Sequence, residues 1–296
     1  PHNYLSRFDG QRWQATLRPA VNGLLHPVIT SIVSTADDAI WLASLGGVNR
    51  FDGQTWQQFT TLDGLPAHEV YQLLPAGENV WAVTSGGLAQ FNAARQSWQS
   101  FASVGEWADY TSVRLATDGS NILWAGSGKE LHRYDGQRWQ IVPVEPPNPA
   151  IEVRAFAVDE DGRLLLSAHL ETPGSEQHFL AEFEGQRWTW HEIAVPSIGQ
   201  FEPFSRLWLG PDSRLWASNG NSLWHFNLSA GNFTQPSQYP ELVRGITDLT
   251  FLPNDKPVAV TRTARAPLLL EADGTISLEQ PLASNGAFAI HATANG

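Results

Sequence analysis

The residues of this chain that could carry chemistry are dispersed rather than gathered into a motif. Nine histidines are spread along the sequence. They form no HExxH run and no close pair, so the spacing of a zinc hydrolase is missing. His132 and His225 stand beside aromatic phrases and read as packing or surface residues. His26, His68 and His291 fall near segments that lead into a strand, or on that strand, and read as solvated. Asp159-Glu160-Asp161-Gly162 looks like part of a calcium loop but lacks the spaced acidic ligands and the terminal Glu. Asp-Gly there is ordinary turn chemistry, and Asp37-Asp38 reads the same way. The chain has no Cys, which excludes thiolate catalysis, disulfides and Cys-ligated zinc. No catalytic residue, metal or cofactor is therefore assigned. Asn227-Leu228-Ser229 and Asn232-Phe233-Thr234 are formal glycosylation sequons, relevant only in a secretory eukaryotic setting.

Bulk properties narrow the partners. The net charge is −12 and the pI about 5.1. Nucleic-acid affinity comes mostly from Lys and Arg neutralising phosphates, and anionic lipid asks for the same charge, so both are excluded. Hydrophobic residues make up 42% and charged residues 16% of 296, enough to bury a large core. No apolar run reaches the roughly 18 residues of a membrane span, so no direct membrane insertion is expected. The chain has no Met and reads as a processed or excised segment.

Stepping from single residues to their periodicity reveals the organisation. Arg7-Phe8-Asp9-Gly10-Gln11-Arg12-Trp13 returns as Arg50-Phe51-Asp52-Gly53-Gln54-Thr55-Trp56, as Arg133-Tyr134-Asp135-Gly136-Gln137-Arg138-Trp139, and as Glu182-Phe183-Glu184-Gly185-Gln186-Arg187-Trp188. A drifted copy ends at Trp98, and weaker ones include Phe233 and Ile276. The anchors Trp13, Trp56, Trp98, Trp139, Trp188, Phe233 and Ile276 are separated by 43, 42, 41, 49, 45 and 43 residues. An aromatic, Asp-Gly and then Trp describes two strands joined by a tight turn, for which a type I′ hairpin is expected. The two aromatics then pack across the strands.

A second phrase precedes each hairpin: Ile40-Trp41-Leu42-Ala43-Ser44-Leu45-Gly46-Gly47-Val48, Val80-Trp81-Ala82-Val83-Thr84-Ser85-Gly86-Gly87-Leu88, and relatives at Leu123–Leu131 and Leu215–Leu223. It reads as strand, Gly-rich turn, strand, and a further strand comes before it. Each repeat is thus four short strands, a to d, with turn signals between. Four strands in about 43 residues is the blade of a propeller. The expected fold is all-β: one domain over residues 1–296, a seven-bladed β-propeller of four-stranded blades. The N-terminal strands c–d (residues 4–17) are expected to join the C-terminal strand a (residues 287–291) and close the ring. No good b strand is visible for that closing blade.

The run Thr61-Leu62-Asp63-Gly64-Leu65-Pro66-Ala67-His68-Glu69-Val70, followed by Trp81–Leu88, resembles the repeat of two-component regulator propellers. The likeness is best over Thr61–Trp98, good over Val28–Trp56 and Val113–Trp139, and fades from Pro143 onward, where Leu165 stands in place of the strand-b Trp. The resemblance implies a ligand-sensing ectodomain of the kind found in bacterial hybrid sensor kinases. It also implies an extracytoplasmic location, periplasmic or at the cell surface, and fusion to a membrane signalling protein.

In a propeller the d-to-a connections and the b-to-c turns gather on one face near the central channel, and loops held by rigid blades carry function. The connections are Val21–Pro27, Leu62–Glu69, Val104–Thr111, Pro143–Glu152, Val195–Ser205, Pro236–Arg244 and Glu279–Ala287. A long insertion, Leu170–Phe179, is expected in one b-to-c turn. The candidate binding residues by position are His68, Glu69, Trp107, Tyr110, Glu152, Glu202, Phe204, Arg244 and Arg262. The Trp residues of the blades read as packing. The expected partner is a small-molecule, glycan or peptide ligand bound without catalysis. A carbohydrate-active enzyme, glycosidase or polysaccharide lyase, is the alternative. It needs two carboxyls about 5 to 10 Å apart, and Glu152 with Glu202 is the pair that could converge. A protein-interaction scaffold is the third reading.

Overall fold

The protein was studied as a computed structural model. The structure describes residues 5–8, 13–17, 23–101, 104–105, 107, 109–118, 120, 122–159, 161–173, 175–184, 186–193, 204–210, 214–219, 222–228, 237–238, 245–252, 254–261, 267–270, 276–278 and 289–291. They form an all-β propeller of short antiparallel strands, with two single-turn 3-10 helices at Thr61–Asp63 and Tyr110–Ser112. No helix among the described residues is long and apolar enough to cross a membrane.

The blades are six four-stranded meanders, each pairing strands in sequence order. The first is β3–β6 (Ile29–Ser34, Ile40–Ser44, Gly47–Phe51, Trp56–Phe59). The second is β7–β10 (Val70–Ala76, Asn79–Thr84, Gly87–Asn92, Ser97–Phe101) and the third β11–β14 (Arg114–Thr117, Leu123–Ser127, Glu130–Tyr134, Trp139–Pro143). The fourth is β15–β18 (Glu152–Val158, Leu164–Thr172, Ser175–Glu184, Arg187–Ile193). The fifth is β19–β22 (Arg206–Leu209, Arg214–Ser218, Leu223–Asn227, Ser237–Gln238) and the sixth β23–β26 (Ile246–Phe251, Pro257–Thr261, Leu268–Leu270, Ile276–Leu278). Two compact units are distinguished: residues 1–115 with 247–296, and residues 116–246.

Among the described residues there are six such blades, not the seven expected. Among those residues β1 (Leu5–Phe8) and β2 (Trp13–Leu17) pair only with each other, as a two-stranded sheet. Residues 289–291 carry no strand assignment, and 287 and 288 lie outside the described residues. The physical reason is the order of a blade. Strand c pairs with b and d, and among the described residues no b strand carries a ladder from strand a to c.

In the first unit, neighbouring a strands are nevertheless stitched by side chains. The backbone N–H of Leu73 donates to Ser31 Oγ (3.1 Å), and that of Leu115 to Gln72 Oε1 (2.8 Å), while Gln72 Nε2 donates back to the Leu115 carbonyl (3.1 Å). Ile290 N donates to Asp248 Oδ2 at 3.0 Å, and His291 Nε2 lies 2.8 Å from Ser34 Oγ. The contacts from Leu73 N, Leu115 N and Ile290 N each satisfy a backbone donor with a side chain of the neighbouring strand. Ile290 therefore occupies, beside β23, the place that Leu73 occupies beside β3.

The core of the first unit is an aromatic box between its first two blades. Trp41 packs edge-on against Phe91 (ring centroids 4.8 Å apart) and Trp98 (6.1 Å) and stacks with Phe59 (5.9 Å). The Arg50 guanidinium covers the Trp41 ring at 5.5 Å. Strand b is buried on both faces, which is why it reads as a continuous apolar run rather than an alternation. Leu164 through Leu170 are all buried in β16. The second unit has two cores. One gathers Trp124, Ile151, Phe156, Leu166 and Phe179, and the other Leu165, Leu180, Leu215, Trp224 and Phe226.

The expected cross-strand aromatic pairs are present: Phe51–Trp56 at 4.8 Å, Tyr134–Trp139 at 5.0 Å and Phe183–Trp188 at 4.7 Å. The turn between them differs from expectation. Phe51 pairs directly with Trp56, leaving the four residues Asp52–Thr55 as the loop, and only Gly53 has positive φ. The Asp52 carboxylate accepts from Gln54 N (2.9 Å) and Thr55 N (2.7 Å); Asp135 does the same for Gln137 N and Arg138 N, both at 3.0 Å. Asp therefore caps the turn with its side chain, as Asx turns do. These backbone donors, Thr55 N foremost, pull the Asp52 pKa down to about 2. The expected Leu170–Phe179 insertion is likewise not a loop. β16 and β17 stay paired as far as Thr172↔Ser175, so the extra residues lengthen a hairpin.

Candidate functional site

The b-to-c turns hold the connections that carry the candidate residues. In the first blade Ser44 Oγ donates to the Gly47 carbonyl (2.9 Å) and accepts from Gly46 N (3.2 Å). In the second, Thr84 Oγ1 does the same for Gly87 O (2.8 Å) and Gly86 N (3.2 Å). The chain needs Gly at the middle position because the preceding connection lies directly on it. A Cβ on Gly86 would meet the Pro66 carbonyl oxygen at 2.8 Å, and one on Gly46 the Leu25 oxygen at 3.0 Å. Gly86→Ala is expected to cost about 1–3 kcal/mol, because the clash is with backbone and the connection must move. Urea unfolding of the variant against the parent checks this.

That connection presents His68 and Glu69, both exposed. Glu69 Oε2 accepts from Ser85 Oγ (2.7 Å), and Ser85 N donates to the Glu69 carbonyl (3.0 Å). The Ser85 hydroxyl holds the Glu69 carboxyl below the usual glutamate range. His68 Nε2 lies 3.4 Å from Thr61 Oγ1, on a turn capped reciprocally by Thr60 and Asp63. In the next connection Trp107 and Tyr110 meet edge to face at 5.8 Å. Trp107 is 8% exposed and packs over Gly105, whose added Cβ would sit 2.6 Å from the indole. Tyr110 is the more open ring of the two.

Phe204 is a core residue. It is 2% exposed and packs against Trp224 (6.3 Å) and Phe226 (5.8 Å), while its carbonyl accepts from Ser167 Oγ at 2.8 Å. Glu202, Arg244 and Arg262 lie outside the described residues.

Glu152, the remaining candidate, begins β15 and leads to a group that the sequence reading missed. Arg154 Nη2 donates to Glu152 Oε2 at 2.8 Å, and Arg154 Nε donates to His169 Nδ1 at 3.3 Å. His169 Nε2 stands 4.0 Å from Glu152 Oε2. His169 and His178 face each other directly across β16 and β17, and His178 Nε2 is 3.5 Å from Glu176 Oε1. Both imidazoles are buried. Desolvation, and secondarily the neighbouring His169, push the His178 pKa down to about 4. Arg154 is the extra residue of a β-bulge, since Val153 pairs with Ala168 and Ala155 with Ser167. The same bulge recurs in the first two blades at Thr30 and Tyr71.

A close His pair therefore exists in space, contrary to the expectation from sequence spacing. Extending the β16–β17 ladder to its end at Thr172↔Ser175 is the signal that would have found it. Among the described residues no cluster of three His, Asp or Glu side chains has metal-site geometry.

No protein-family model matches the chain, and no curated protein matches it. Solved structures do. The extracellular domain of a one-component system of B. thetaiotaomicron is similar over 89% of this chain, with 19% identity and a TM-score of 0.65. This chain spans only 36% of that longer one. Virginiamycin B lyase from Staphylococcus aureus is similar over 90% of this chain and 88% of its own, at 12% identity and a TM-score of 0.67. A gluconolactonase from Xanthomonas campestris is similar over 87% of this chain and 84% of its own, at 13% identity and a TM-score of 0.51. At these identities the shared property is the fold. The sensor-type β-propeller that the repeat resembles is thus matched in architecture.

Proposed function

We propose that the chain is a noncatalytic ligand-recognition propeller, the extracytoplasmic input domain of a bacterial signalling protein. It would take a small-molecule, glycan or peptide ligand at the face where d-to-a connections sit on b-to-c turns. The observation that carries this reading is the likeness over most of the chain to the extracellular domain of a one-component system. The exposed polar groups at the starts of the a strands, Glu69 and Glu152 with Arg154, agree with it, because a rigid blade end presenting a few polar side chains is built for recognition.

A second reading, a propeller enzyme, is favoured by the likeness to a lyase and a gluconolactonase. The buried imidazole of His169, set between an arginine and a glutamate, has the residue types of acid–base chemistry. A third, protein-interaction scaffold, shares the fold but has no observation of its own.

One experiment separates the first two. The chain is titrated with a glycan and peptide library by thermal shift, and each ligand that raises Tm is recovered and weighed by mass spectrometry. Recognition predicts saturable stabilisation, at least about 2.7 kcal/mol at a hundredfold excess over Kd, with the ligand recovered intact. Conversion of the ligand, abolished in Glu152→Gln, would establish the enzyme instead.

A further inference from the structure

We propose that the end of the fourth blade is a recognition site for a zwitterionic group, an ammonium beside a carboxylate as in a free α-amino acid. Arg154 takes the carboxylate and Glu152 the ammonium. This deepens the recognition reading and rests on it.

Three observations converge. The first is an exposed ion pair with a rigid support. The side chains of Arg154 and Glu152 are 45% and 63% exposed, while those of His169 and His178 beneath them are 6% and 3% exposed. Both ring nitrogens of His169 lie 3.3 Å from Arg154, Nδ1 from Nε and Nε2 from Nη2. The buried imidazole thus fixes the guanidinium from below. His178 behind it stays neutral at neutral pH for the reason given above.

The second is the bulge. An extra residue in a ladder re-aims a side chain at the cost of regular pairing, and here the residue it presents is Arg154.

The third is the charge pattern. Glu152 and Arg154 share one contact at 2.8 Å through a single oxygen and a single nitrogen. An exposed pair of this kind contributes little to stability, and with Nε on His169 and Nη2 on Glu152 the guanidinium keeps Nη1 for a second carboxylate. A simple anion entering here would compete with Glu152 for its cation and leave the carboxylate unpaired. A simple cation would strip Arg154 of its anion. A zwitterion exchanges one ion pair for two and leaves no charge uncompensated, which is how a site rejects half-matched ligands.

The test uses the unaltered chain first. Each free L-amino acid is titrated singly by calorimetry, and any that binds is compared with its N-acetyl and methyl-ester derivatives. At least one amino acid is expected to bind, with each derivative at least about tenfold weaker, the scale of one lost charge-assisted hydrogen bond. In Arg154→Gln the free acid and its ester should then bind alike. In Glu152→Gln the free amine and its N-acetyl form should bind alike. Failure of all amino acids to bind, or derivatives that bind as tightly as the parent, would overturn the assignment. Should either variant unfold, the derivative comparison on unaltered protein still decides. The two levels fail separately. A neutral glycan bound without conversion sinks the zwitterion and keeps recognition, whereas conversion of a bound amino acid sinks recognition and keeps the zwitterion.

Discussion

Trp41→Ala is expected to lower the unfolding free energy by about 3–5 kcal/mol, the range for deleting a buried indole. The residue is 3% exposed; it packs against Phe59, Phe91, Trp98 and Arg50, and its Nε1 donates to Thr35 Oγ1 at 3.2 Å. Removing it leaves Phe59, Phe91 and Trp98 without the ring they pack around and strips Arg50 of its cation–π platform. Because Trp41 and Phe59 belong to one blade and Phe91 and Trp98 to the next, the loss falls on the contact between blades. Against a net stability of about 5–15 kcal/mol for a typical domain, that is a large fraction. Urea denaturation gives the number. Trp41→Phe, which refills part of the space, should recover part of it, and equal midpoints for Trp41→Ala and the parent would show that the box is not a stability element.

Acid should unfold the second unit through His178. Burial holds its folded pKa near 4 against about 6.5 for the free side chain. The sign follows from proton binding. Between pH 6.5 and 4 the unfolded chain takes up a proton that the folded chain refuses, so stability falls as pH falls through that window and is flat on either side. At about 1.4 kcal/mol per unit the whole window is worth about 3 kcal/mol. The charged and titratable groups around the ring are Glu176 on its own strand, His169 on β16, and Glu152 with Arg154 on β15; β18 offers the apolar Ile193 opposite it. The measurement is the pH dependence of the urea midpoint for the parent against His178→Leu. The parent should lose about 3 kcal/mol more than the variant between pH 7 and 4. Parallel curves would mean that His178 titrates normally.

How much of this was legible follows from the range of each interaction. The aromatic-Asp-Gly-Trp phrase fixed its hairpins because both partners lie within a few residues, and the pairs Phe51–Trp56 and Tyr134–Trp139 are where that local logic put them. The turn type was misjudged because Asp52 spends its side chain on the backbone, and Asp-Gly alone does not distinguish that from a type I′ turn. The insertion at Leu170–Phe179 is expected as a loop, but its polar residues extend the β16–β17 ladder as far as Thr172↔Ser175, and exposed polar residues in a strand look like a loop in sequence. The His169–His178 contact was missed for the same reason, since nine residues of sequence separate two atoms on facing strands. Arg154 was invisible because a bulge breaks the alternation that sequence reading relies on. Phe204 is a candidate by its position in a connection, but that connection turns inward there, burying the ring and bonding its carbonyl to Ser167. Seven anchors predict seven blades; six four-stranded sheets lie among the described residues, because an anchor counts hairpins, not complete sheets.

The seating of connections on Gly46 and Gly86 separates two kinds of information in the chain. What fixes the height and angle of a connection is main-chain contact with a glycine that offers no side chain. What a ligand would meet is whatever side chains the connection happens to carry. The first can stay constant while the second is rewritten. An architecture of this kind can therefore recur with little shared wording, as its likeness at 12–19% identity to an extracellular domain and a lyase illustrates.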